Sequence, residues 1–157
     1  MSQIILDKLS HMANPKNYDQ ICPRLPLIDL ASKPIRDEFA KTLQENWSDQ
    51  NLHDIGYNAD DLATMLAFSP YLQRLALRHN NDITCSLKGN NSQQIELARV
   101  AFIGEMEEAN CDAAAMRAIR TWRERSALAI ALADITGLHD MPTQMRWLSE
   151  AAQTVLT

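Results

Sequence analysis

Met116-Arg117-Ala118-Ile119-Arg120-Thr121-Trp122-Arg123-Glu124-Arg125-Ser126-Ala127-Leu128-Ala129-Ile130-Ala131-Leu132-Ala133-Asp134-Ile135-Thr136-Gly137-Leu138 decides the fold. Its apolar residues recur three and four apart, the spacing of one helical face, with no sustained alternation of the kind a strand shows. Asp112 can cap this helix, the longest in the chain, and Gly137 ends it. Working outward, Asn110 lies in a turn that joins it to a helix capped by Ser92 and running through Ile95, Ala98, Phe102 and Met106. On the other side Asp140 and Pro142 start a last helix, with Met145, Leu148, Ala152 and Val155 on one face. Connections this short imply antiparallel neighbours. The expected fold is therefore all-α, an antiparallel helical bundle of about six helices.

Upstream the pattern continues less densely. Ser69-Pro70 reads as N-cap and first helical residue of an element that reaches about His79 and buries Leu72, Leu75 and Ala76. Residues 80–91, rich in Asn and Gly, read as a loop. Asn58 or Asp60 can cap a helix that buries Leu62, Met65 and Leu66. Ser32, with Pro34 in the first turn, opens a helix through Ile35, Phe39 and Leu43 to about Trp47. Residues 13–32 hold Pro15, Pro23 and Pro26 and read as an extended loop. Residues 3–12 read as a short helix. The organisation expected is an N-terminal part, 1–58, with helices and a Pro-containing loop, and a helical segment, 59–157.

The totals exclude several classes. A net charge of −5 gives no global attraction to nucleic acid or to an anionic membrane. No apolar run approaches the roughly 20 residues that span a bilayer, and no signal peptide opens the chain. Cys22, Cys85 and Cys111 form no C-x-x-C pair, which fits a reducing cytosol. The expected location is cytoplasmic. No Walker loop, G-x-G-x-x-G, G-x-S-x-G or Asp-x-Asp occurs, so the residues supply no catalytic constellation and no cofactor-binding motif of their own.

Four groups of polar residues remain. Asp60-Asp61 suits a helix start, where the dipole favours negative charge. Glu105, Glu107 and Glu108 cluster at a helix end. His11, His53, His79 and His139 lack metal-ligand spacing, so no metal site is expected. Arg117, Arg120, Arg123 and Arg125 surround Trp122 and make a stripe on one helix. That stripe reads either as a phosphate- or partner-facing surface or as a solvated face paired with Glu105, Glu107, Glu108 and Asp112 across the hairpin.

Two stretches taken together resemble a known family. One is Leu66-Ala67-Phe68-Ser69-Pro70-Tyr71-Leu72-Gln73-Arg74-Leu75-Ala76-Leu77-Arg78; the other is the long helix quoted above, ending in Asp134-x-x-Gly137-Leu138. In order, they resemble the helical region near the N-terminus of the bifunctional glutamine synthetase adenylyltransferase and adenylyl-removing enzymes, over roughly residues 59–157. The resemblance implies a nucleotidyltransferase of nitrogen metabolism. Such an enzyme transfers AMP from ATP to a tyrosine of glutamine synthetase and removes it by phosphorolysis, using magnesium and responding to glutamine and a PII signal protein. It also implies a Gly-Gly turn and a Ser-Asp-x-Asp pair downstream of the last helix. Neither is in this chain, so the expectation is an N-terminal helical fragment, inactive alone. No catalytic, cofactor or metal residue is assigned. Arg117, Arg120, Trp122, Arg123 and Arg125 are the candidate domain interface. The alternative is a stand-alone helical interaction module without enzymatic activity.

Overall fold

The computed structural model describes residues 26–46, 57–67 and 69–156, and these are all-α, with no strand among them. In chain order the helices are α1 (Pro26–Asn46), α2 (Ala59–Leu66), α3 (Pro70–Arg78), α4 (Asn80–Leu87), α5 (Asn91–Glu108), α6 (Asp112–Thr136) and α7 (Met141–Leu156). The short helix expected over 3–12 lies outside the described residues. The chain divides into two compact units, Met1–Pro70 and Tyr71–Thr157.

In the first unit α1 packs on α2. α1 begins at Pro26 rather than at Ser32, so the loop expected over 13–32 is helical from residue 26 on. At a first helical position the missing proline N–H has no partner to lose. The helix also runs through Pro34, where one backbone bond is forfeited. Phe39, Ala40 and Leu43 are its buried residues beyond that point. α2 starts as expected at Asn58, whose side chain accepts from Asp61 N while the Asp61 carboxylate accepts from Asn58 N. This reciprocal cap satisfies two backbone donors at once. Leu62, Met65 and Leu66 are buried beneath it.

In the second unit α6 is the central element and packs against α4, α5 and α7. Its core joins Ile95, Ala98 and Phe102 of α5 to Ala118, Trp122, Ala129, Ile130 and Ala133 of α6 and Trp147 of α7. Phe102 and Trp122 stack at 5.9 Å between ring centroids. Gly137 closes α6 in the left-handed region at φ 63°, which suits a residue without Cβ. Asp140 Oδ1 then accepts from Thr143 N at the start of α7.

Two expectations change here. The loop expected over 80–91 is helix from Asn80 to Leu87. Asn, Asp, Thr, Cys and Ser favour other backbone states when isolated; this helix is held by what it packs against, with Ile83, Ser86 and Leu87 buried. In α7, Met145 and Leu148 do share a face with Ala152 and Val155, but it is exposed. The face turned inward is polar-aromatic: Gln144 and Trp147 are buried and Ala151 partly so. Trp147 makes an edge contact with His139 at 4.8 Å, and Gln144 Nε2 donates to His139 O. One indole and one amide thus replace an aliphatic stripe as the docking surface.

Candidate functional site

The arginine helix separates into an inward and an outward set. Trp122 is 2% exposed, and its Nε1–H donates to Ala151 O of α7 at 3.1 Å. Arg125 donates from Nε and Nη2 to the two oxygens of Asp82 on α4, at 2.6 and 3.0 Å. Arg117, Arg120 and Arg123 are exposed and make no ion pair among the described residues. The pairing considered for the stripe, with Glu105, Glu107, Glu108 and Asp112, is absent among those residues. At 100° per residue the three outward guanidinium groups cross the solvent side of α6 as an oblique row, with exposed Met116 beside them.

Glu124 is the residue that sequence reasoning passed over. It sits between Arg123 and Arg125 and is buried. Arg78 Nη1, at the end of α3, donates to both its oxygens at 2.9 Å, and His79 Nε2 lies 3.1 Å from Oε2. Burial pushes the Glu124 carboxyl up, but the hydrogen bonds from His79 and Arg78, with the charge of Arg78, outweigh it and hold it below its ordinary value. Consecutive residues of α6 therefore carry opposite charges, each matched by the α3–α4 segment: Glu124 by Arg78 and His79, Arg125 by Asp82. One signal was present in the sequence, a lone carboxylate inside a basic run.

A second polar knot ties the ends of the helices. Asn91 is fully buried at the start of α5. Its Nδ2 donates to Ala129 O at 2.8 Å, and its Oδ1 accepts from His139 Nε2 at 3.2 Å. His139 Nε2 also faces Gly89 O. Both contacts are acceptors, so Nε2 carries the proton.

The remaining candidates have structural partners or none. Asp61 belongs to the α2 cap, and Glu105, Glu107 and Glu108 are exposed. Among the described residues no group of three His, Cys, Asp or Glu could hold a metal ion. No helix among them is long and apolar enough to cross a membrane. A groove of about 460 Å3 lies between α5 and α7 above Trp122, rimmed by Glu96, Arg99 and Glu150. Arg99 there is already held by Glu96 at 2.6 and 2.8 Å. What this arrangement can do chemically is present three guanidinium groups, on a helix fixed from behind, to an anionic surface.

A family model described as glutamate-ammonia ligase adenylyltransferase matches residues 59–157. No curated protein and no solved structure matches the chain.

Proposed function

The chain belongs to the glutamate-ammonia ligase adenylyltransferase family, and from that premise we propose that it supplies the helical lead-in to the adenylyl-removing half of such an enzyme. Glutamate-ammonia ligase is glutamine synthetase, the substrate partner the family implies. The observation that carries the proposal is the match over residues 59–157, which takes in α2 to α7. The nucleotide chemistry belongs to a Gly-Gly turn and a Ser-Asp-x-Asp pair that this sequence does not contain. ATP and magnesium are thus bound by the catalytic domain of the whole enzyme, and response to a PII protein is a property of that enzyme in the cytoplasm.

Within this scheme α6 is the domain-facing helix. Trp122 and Arg125 hold it against α7 and α4, while Arg117, Arg120 and Arg123 meet the next domain or its anionic ligand. The test is AMP transfer. Purified chain, incubated with glutamine synthetase, ATP and magnesium, is expected to add no AMP, and with adenylylated enzyme and phosphate to form no ADP. Transfer that survives repurification overturns the assignment of chemistry to another domain. A reading frame continuing past Thr157 into Gly-Gly and Ser-Asp-x-Asp supports the lead-in; unrelated sequence there supports a stand-alone interaction module.

A further inference from the structure

We infer that the outer side of α6 docks a segment of a partner protein whose carboxylates are clustered and flanked by basic groups. The inference rests on, and narrows, the reading of α6 as the domain-facing helix. Arg117, Arg120 and Arg123 are exposed there and make no ion pair among the described residues. The one carboxylate inside the row does not offset them, because Glu124 is buried and already held by Arg78 and His79. Two exposed aspartates bound the basic stretch. Asp134 stands about five turns beyond Met116 on the same line of the helix, and Asp112 lies about one turn before Met116, at the edge of that sector. Along α6 the stripe therefore runs negative, positive, negative. The helix dipole accounts for Asp112 in the first turn but opposes Asp134 near the last.

Three features select a carboxylate-bearing protein over a phosphate-bearing ligand. Successive arginines of the row are three residues apart, so each is turned about 60° from the last and raised about 4.5 Å. Their guanidinium groups fan outward instead of closing on one point, and so suit separate anions better than a single phosphate. Exposed Met116 and Ala113 share the sector and add apolar contact; Met and Arg are residue types enriched where proteins meet. A long polyanion laid along α6 would meet Asp112 and Asp134 at the two ends of the row, and the net charge of −5 repels it at a distance. A clustered acidic segment with basic flanks meets attraction at all three places. Each guanidinium can then hold a carboxylate bidentately, and the alternation of sign fixes the register of the partner.

Binding of two fluorescent Ala-based helical peptides to the full chain, read by anisotropy at low ionic strength, tests this. Both have the same composition. One carries its glutamates in the centre and a lysine near each end; the other has the lysines in the centre and the glutamates at the ends. The first is expected to bind the more tightly, with an affinity that falls as salt is added. Arg120→Gln with Arg123→Gln is expected to raise its dissociation constant about tenfold while the far-UV spectrum is unchanged, and Asp134→Asn to narrow the preference between the peptides. Arg146→Gln, at an exposed arginine of α7, is expected to change neither. If the double change lowers helicity, Arg117→Gln carries the same comparison. No binding of either peptide overturns the inference, as does equal binding of both or binding indifferent to the α6 changes. Displacement by inorganic tripolyphosphate at lower concentration than by unlabelled peptide assigns the row to phosphate and overturns it too. AMP transfer is not read in this experiment, so its failure leaves the lead-in assignment standing.

Discussion

Asn91 has no side-chain surface in water, yet it uses both ends of its amide. Replacing it by Leu keeps the branched outline but is bulkier, orphans the His139 N–H from one acceptor and removes the bond to Ala129 O. The expected cost is about 1–3 kcal/mol, read as a fall of several degrees in melting temperature. Glu124 gives a pH-dependent counterpart. Its folded carboxyl titrates below the ordinary 4.5, so ionised Glu124 stabilises the fold above that value. That contribution is lost as pH falls through the lowered folded value. Glu124→Gln should therefore cost about 2 kcal/mol at neutral pH, and urea midpoints should show the gap to wild type closing in acid. A gap constant with pH would show that the charge contributes nothing. Gly137 separates backbone from packing: a Cβ there meets no atom within 4 Å. Gly137→Ala is thus expected to cost about 1 kcal/mol through the left-handed conformation alone.

Among elements, α6 was legible because its pattern is local: the apolar spacing and the terminal glycine are both inside the stretch, although Asp112, expected as the cap, is the first helical residue and Cys111 before it makes no side-chain cap bond. α4 was not. Asp82 and Ile83 read as loop residues until Arg125 and the flank of α6 are set beside them, some 43 positions away in the chain. The same distance hid the role of Glu124, and it explains why the arginine run read as one stripe when it is two sets. Aliphatic periodicity located the apolar face of α7 but not which face turns inward, because Trp147 and Gln144 decide that through single directional contacts. The outward arginines give the element its test. Arg120→Gln with Arg123→Gln should change the stability of this chain by less than about 1 kcal/mol, since exposed charges without partners contribute little. In a whole enzyme of the family the same pair of changes should cut deadenylylation, because an amide cannot replace bidentate guanidinium contacts. Unaltered deadenylylation would leave α6 with a solvated outer face and nothing more.

For the whole molecule, the fold class was readable from periodicity alone, while the division into Met1–Pro70 and Tyr71–Thr157 was not. Nothing in Ser69-Pro70 distinguishes a turn within one core from a change of core. The division predicts unfolding that is not a single step. Trp122 and Trp147 are both buried in the second unit. In a Trp47→Phe variant their emission reports on that unit only. The urea transition followed by far-UV circular dichroism, which sees all helices, is expected to begin before the emission shifts, since the smaller unit buries less surface per residue. Coincident curves would mean one cooperative body. The crossed pairing of Glu124 and Arg125 has a consequence at this scale as well. Because neighbouring positions on α6 bear opposite signs, a shift of one residue against the α3–α4 segment would bring Arg125 to Arg78 and Ser126 to Asp82 in one direction, and in the other would bring Arg123 to Arg78 and Glu124 to Asp82, like against like at both contacts. The four ions therefore act as a key: they admit a single alignment of helices whose greasy surfaces would tolerate several.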